Sequence, residues 1–205
     1  MDEVFSMFLE TFGGPVDRQE VPASSIERYR GKLPAQLLEY WNEHGWCGYA
    51  EGLFWIVNPQ EYEEVVAYWI ENTQFAASDT YHLIARSAFG DLYLWGENTG
   101  ASLKITSYLS RYTTHTSIYT GAQMDKGLRS FLLSRQVDSN DYGDLFKPAT
   151  QKLGVLRHDE MYGFVPALML GGRDTLQHLE KVKAVEHLIL LSQLAELQPY
   201  DFSDV

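Results

Sequence analysis

Three places in this 205-residue chain hold residue types that could do chemistry. The richest is His158-Asp159-Glu160, with Tyr162 close behind. An imidazole beside carboxylates could act as an acid/base pair or supply two metal ligands. Consecutive side chains leave the backbone in different directions, however, and seldom converge on one atom. The second place is Cys47 with His44, in the segment EHGWCGY. A thiol nucleophile needs a base in contact and a third group to orient that base. This segment offers only local proximity, and Cys47 reads more readily as a small apolar residue. The third is Gly171-Gly172, a turn signal that lacks the further glycines and the Lys-Ser/Thr of a phosphate loop. The histidines His44, His82, His115, His158, His178 and His187 are scattered, with no HExxH and no paired CxxC. No catalytic residue, metal or cofactor is expected from such a pattern.

Charge is the more organised signal. Between Lys32 and Arg86 there is no lysine or arginine, while Glu39, Glu43, Glu51, Glu61, Glu63, Glu64, Glu71 and Asp79 fall in that interval. Residues 1–80 carry 14 acids against 4 bases, so most of the net charge of −12 sits in the first two fifths of the chain. A field this one-sided steers encounters with positive partners and repels nucleic acid, whose binding needs clustered Lys and Arg. It also suits a purely solubilising face. Aromatic residues make up 14% of the chain, a supply that serves a rigid core or a contact surface equally well.

The length allows one large domain or two small, closely packed ones. Hydrophobic content of 45% with 21% charged residues argues for a folded chain rather than a disordered one. The single cysteine, Cys47, excludes an internal disulfide and fits a reducing compartment. The acidic opening MDEVFSMFLETFGG lacks the basic region of a secretory signal. No stretch reaches the roughly 18–20 apolar residues of a membrane span. A cytoplasmic location is expected.

Several elements must position these residues. Val4, Phe5, Phe8, Leu9 and Phe12 share one helical face, ended by Gly13-Gly14-Pro15. A polar loop follows, and Pro34 opens a second helix with Leu37, Leu38 and Trp41 inward. GLFWIV, at 52–57, reads as a buried strand. Asn58-Pro59 starts a third helix, with Tyr62, Val65, Val66, Trp69 and Ile70 at helical spacing and Glu61, Glu64, Tyr68 and Glu71 opposite. Strands are expected at 82–85, 91–95, 102–106 and 116–119, then helices at 124–134 and 144–153. A strand over 164–170 and a long helix ending near Leu197 complete the reading. Helices, then strands, then helices predict an α+β fold with a mostly antiparallel central sheet flanked by helices. The expected core is Phe8, Phe12, Leu38, Trp41, Trp55, Val66, Trp69, Trp95, Phe146, Phe164 and Leu190.

Residues 20–71, from EVPASSIERYRGKLP to GLFWIVNPQEYEEVVAYWIE, resemble the GAD-like domain. YHLIARSAFGDLYLWG at 81–96, LGVLRHDEMYGFVPALMLGG at 153–172 and LEKVKAVEHLILLSQL at 179–194 are similar to the immunity-type domain that usually follows it. Chains of this build resemble bacterial immunity proteins of type VI secretion systems. The resemblance implies a GAD-like domain over 1–78 and an immunity-type domain over 79–205. It also implies a non-catalytic antitoxin that binds and neutralises a cognate DNase effector encoded beside it; the charge and the lack of an apolar span argue against nucleic acid and membrane as partners.

The candidate partner contacts are Glu51, Glu61, Glu64, Glu71, Asp91, Asp159, Glu160 and Tyr162. Two other readings remain open from the residues. One is a small-molecule or nucleotide-binding regulatory module with a pocket near Asp91, Trp95, Glu160 and Tyr162. The other is an enzyme using His158, Asp159 or Glu160.

Overall fold

The central strands are buried at nearly every residue, and their side chains alternate into a core on each side of one sheet. The computed structural model describes residues 2–200. The chain opens with α1 (Glu3–Phe12), whose Asp2 carboxylate caps the Phe5 N–H at 3.0 Å. Then come β1 (Val16–Gln19), α2 (Ala23–Tyr29), α3 (Ala35–His44), β2 (Trp46–Tyr49) and β3 (Phe54–Ile56). Next are α4 (Glu63–Ile70), α5 (Phe75–Ser78), β4 (Tyr81–Ser87), β5 (Asp91–Gly96), β6 (Gly100–Thr106) and β7 (Arg111–Thr114). The rest is α6 (Met124–Leu133), α7 (Phe146–Leu153), β8 (Glu160–Phe164), β9 (Leu179–Lys183), α8 (Ala184–Ser192) and β10 (Gln198–Pro199).

Eight strands pair in the order β1-β2-β3-β4-β5-β6-β7-β10. Every neighbouring pair is antiparallel except β7 with β10, and β8 with β9 forms a separate antiparallel hairpin. The fold is therefore α+β with a mostly antiparallel sheet. The strand period of two sends Trp55, Leu83, Leu92, Leu94 and Ile105 to one face, where α4, α7, α8 and the β8–β9 hairpin cover them. It sends Phe54, Ile56, Ile84, Tyr93 and Trp95 to the other, under α1, α3 and α6. Phe5, Phe8 and Phe12 close that second core with Tyr49 and Phe54 in tilted and edge-on ring contacts.

Of the expected core, all but one residue is buried. Leu190 is 50% exposed. The inward stripe of α8 is Ala184, His187, Leu188 and Leu191, spaced by three and four residues, which turns Leu190 to solvent. Other expectations shift. The strand expected at 116–119 lies earlier, at β7. The strand expected at 164–170 is β8, at 160–164; Val165-Pro166 and a tight turn follow it. The long C-terminal helix is β9 followed by the shorter α8. The polar loop before Pro34 holds β1 and α2.

Two glycines, Gly90 in the turn from β4 to β5 and Gly163 within β8, sit where a side chain does not fit. Gly90 has φ +100°, and a Cβ there would lie 2.4 Å from the Ser107 hydroxyl. At Gly163 a Cβ would lie 2.5 Å from Nε2 of His187.

Candidate partner-binding surface

Asn58 and Pro59 start the α4 region as its sequence suggests. The Asn58 side-chain oxygen accepts the Gln60 N–H, proline takes the first position of a short 3-10 turn, and α4 follows. Tyr62, Val65, Val66, Trp69 and Ile70 are buried against the sheet. Trp69 also donates its indole N–H to the Leu188 carbonyl at 3.1 Å, which locks α4 onto α8. With one face so fixed, Glu61, Glu64, Tyr68 and Glu71 form an outward stripe, spaced by three, four and three residues. Glu61 and Glu71 accept only from the side-chain amides of Asn58 and Asn72. Among the described residues none of Glu51, Glu61, Glu64 and Glu71 is paired with a cation. Glu63, beside the stripe, is paired with Arg28. Tyr68, 37% exposed, stands amid the acids on the outer side that the sequence predicts for it. Glu51 is also exposed, at the turn between β2 and β3, with φ 58°.

The other candidate contacts are placed differently. Asp91 is buried; it accepts from the hydroxyls of Ser87 and Thr106 and lies 2.8 Å from Lys104 Nζ. Tyr162 is fully buried and donates its hydroxyl to the Gly154 carbonyl at 2.7 Å. Neither side chain reaches the surface. Asp159 is ion-paired with Lys183, whose hydrogen bond holds its carboxyl below the usual carboxylate range. Glu160 caps the Arg157 N–H at 3.0 Å and lies 3.5 Å from Lys181. Both acids are thus offset by lysines of β9.

The sheet also separates the pocket suggested by Asp91, Trp95, Glu160 and Tyr162. Trp95 belongs to one core and Tyr162 to the other. The three residues at 158–160 diverge as well. The His158 ring meets Asp17 at 3.2 Å, Asp159 meets Lys183, and Glu160 meets Lys181. Cys47 is fully buried, donates its thiol to the Tyr49 hydroxyl at 3.1 Å, and is pushed up in pKa by burial. His44 instead stacks on Phe5 at 4.3 Å. Among the described residues no group of three His, Cys, Asp or Glu could hold a metal ion, and no helix is long and apolar enough to cross a membrane.

One residue that sequence reasoning passed over ties the parts together. Arg86 on β4 is completely buried, opposite Trp55 and Leu92 in the ladder. It donates to the Tyr62 hydroxyl at 3.0 Å and to the carbonyls of His158 and Glu160, each at 2.8 Å. The guanidinium lies 5.3 Å from the Trp55 ring. No local pattern marks a strand arginine as buried; only the tertiary arrangement does.

This geometry defines an α+β protein whose most organised surface feature is an unneutralised acidic stripe on a rigid helix. The chain belongs to the GAD-like domain family, whose model matches residues 3–109. Residues 125–195 match the C-terminal domain of the T6SS immunity protein Tdi1. The crystal structure of Atu4351 from Agrobacterium tumefaciens is similar in fold, with a TM-score of 0.85 over 99% of this chain and 93% of that one, at 23% identity. No curated protein matches the sequence.

Proposed function

We propose that this chain is an immunity protein that binds and neutralises a type VI secretion toxin without catalysing a reaction itself. The observation that carries this reading is the match of residues 125–195 to the Tdi1 immunity domain. The acidic stripe on α4 supports it, because an unpaired row of carboxylates around an exposed tyrosine suits a basic protein partner. A DNase is the toxin class that fits best. Its substrate groove must be positive to hold phosphates, so an acidic inhibitor complements it. The same charge disfavours nucleic acid as a partner of this chain.

In this reading Glu61, Glu64, Tyr68 and Glu71 form the first contact surface, with Glu51 as a further exposed acid. Asp159 and Glu160 contribute less, since β9 lysines already offset them. We place the protein in the cytoplasm, where an incoming nuclease acts. The suggested division near residue 78 falls between α5 and β4, and the strands on either side pair in one sheet, so we read both segments as acting together.

The direct test is size-exclusion chromatography of the full chain with the product of the neighbouring reading frame, paired with a DNA-cleavage assay. Co-elution and loss of cleavage at one-to-one stoichiometry are expected. Separate elution with undiminished cleavage would overturn the assignment.

A further inference from the structure

A cleft of about 600 Å³ opens on the α6 side of the sheet, between β6, β7, the 115–119 loop and α6. That volume falls in the range of about 300–1,000 Å³ typical of small-ligand sites. It lies away from the α4 stripe, which packs on the opposite face.

Its charge runs against that of the chain. Lys104 on β6 sits directly across from Tyr93 on β5, with its ammonium 5.5 Å from the ring centre. Arg135 enters just beyond the end of α6 and lies 4.9 Å from the same ring and 4.7 Å from Phe131. Two cations therefore converge on one aromatic ring, and among the described residues a single carboxylate, buried Asp91, answers them through Lys104. Arg135 donates to neutral oxygens, the Phe131 carbonyl at 3.2 Å and the Ser134 hydroxyl at 2.9 Å. It also engages the Tyr93 hydroxyl, and among the described residues no carboxylate is paired with it. One uncompensated, half-buried guanidinium remains, in a chain of net charge −12.

The rest of the wall mixes apolar side chains, among them Ala101, Ile118 and Phe131, with exposed hydroxyls. Thr114, Thr116 and Ser130 line the cleft, and none of their side chains is committed to a hydrogen bond among the described residues. A planar guanidinium with no carboxylate partner is matched to a phosphate or carboxylate oxygen pair. The adjoining hydroxyls extend that recognition to a ligand that is itself rich in hydroxyls, and a bare carboxylate would leave them unused.

We propose that this cleft binds a sugar phosphate monoester, free or as the ribose phosphate of a mononucleotide. Arg135 holds the phosphate, Lys104 adds charge at longer range, and Thr114, Thr116 and Ser130 meet the sugar. The inference does not depend on toxin binding.

The test is isothermal titration of the full chain at low ionic strength with ribose 5-phosphate, AMP, adenosine and inorganic phosphate, with amide shifts followed by NMR. Ribose 5-phosphate and AMP should bind and shift Thr114, Thr116 and Ser130, inorganic phosphate should compete, and adenosine should not bind. Equal affinity for the two esters assigns recognition to the sugar phosphate, and tighter AMP binding adds a contact to the base. Arg135→Gln should weaken binding at least tenfold with an unchanged melting temperature. Thr114→Val with Ser130→Ala should weaken the esters several-fold while leaving inorganic phosphate unaffected, which keeps the proposal testable if the arginine variant misfolds. The proposal is overturned by absence of binding at millimolar ligand, by adenosine binding as well as AMP, or by undiminished binding to a folded Arg135→Gln protein.

Discussion

Arg86 Nη2 lies 2.8 Å from the carbonyl oxygen of Glu160, and no carboxylate touches the guanidinium among the described residues. A fully buried cation is thus held by carbonyls, a phenol and the Trp55 ring alone. It joins β4 to the turn entering β8, and so links the segment matched by the GAD-like model to the segment matched by the immunity model. Such an arrangement is tolerable only when every donor is well satisfied.

Removing that cation should be costly. Arg86→Met leaves the Tyr62 hydroxyl and the carbonyls of His158 and Glu160 without their donor. Each unsatisfied buried group costs about 1–3 kcal/mol, so a loss of about 3 kcal/mol or more is expected in urea unfolding. Arg157→Met, at an exposed neighbouring position, should change stability by about 0.5 kcal/mol or less. Equal effects for the two variants would contradict the role given to Arg86.

The α8 register gives a paired prediction. Leu191→Ala should cost about 2–4 kcal/mol by opening the core, whereas Leu190→Ala should cost about 0.5 kcal/mol or less. Chemical denaturation of both variants reads the difference directly, and a reversed order would mean that α8 is rotated.

His187 supplies a pH dependence. Its ring is buried on α8 with no hydrogen-bond partner among the described residues, and burial lowers its pKa from the usual 6.5. The unfolded chain therefore takes up a proton at a pH where the folded chain does not. The stability linked to this group is fully present above about pH 6.5 and is lost as the pH falls through the lower folded value. His44, lowered first by burial, acts in the same direction. Thermal melts between pH 7.5 and 5 should fall less steeply for His187→Gln than for wild type; parallel curves would remove His187 from the explanation.

How far the sequence carried varies from element to element, and the reasons are physical. The α4 stripe was readable because its five inward residues repeat at helical spacing and proline marks the start. The β8–β9 hairpin was not. Gly163 weakens the strand signal of β8, and LEKVK runs into AVEHLILL with enough apolar residues to mimic one long helix. The suspicion about His158-Asp159-Glu160 arose from adjacency, while the actual partner of His158, Asp17, lies 141 residues away. Lys104 and Arg135 likewise carry no spacing signal, since only the fold brings them to the same tyrosine.

Whether the acids of the α4 stripe receive a basic toxin is tested most directly by association kinetics. Glu61, Glu64 and Glu71 would be replaced together by lysine, and binding to the product of the neighbouring reading frame followed by surface plasmon resonance at two salt concentrations. Exposed charges act mainly on the association rate and are screened by salt. Association slowed by roughly tenfold or more at low salt is expected, on the scale that steering contributes, with the gap narrowing at high salt and the melting temperature nearly unchanged. An association rate equal to that of wild type at low salt would contradict that role and leave these acids as a solubilising face.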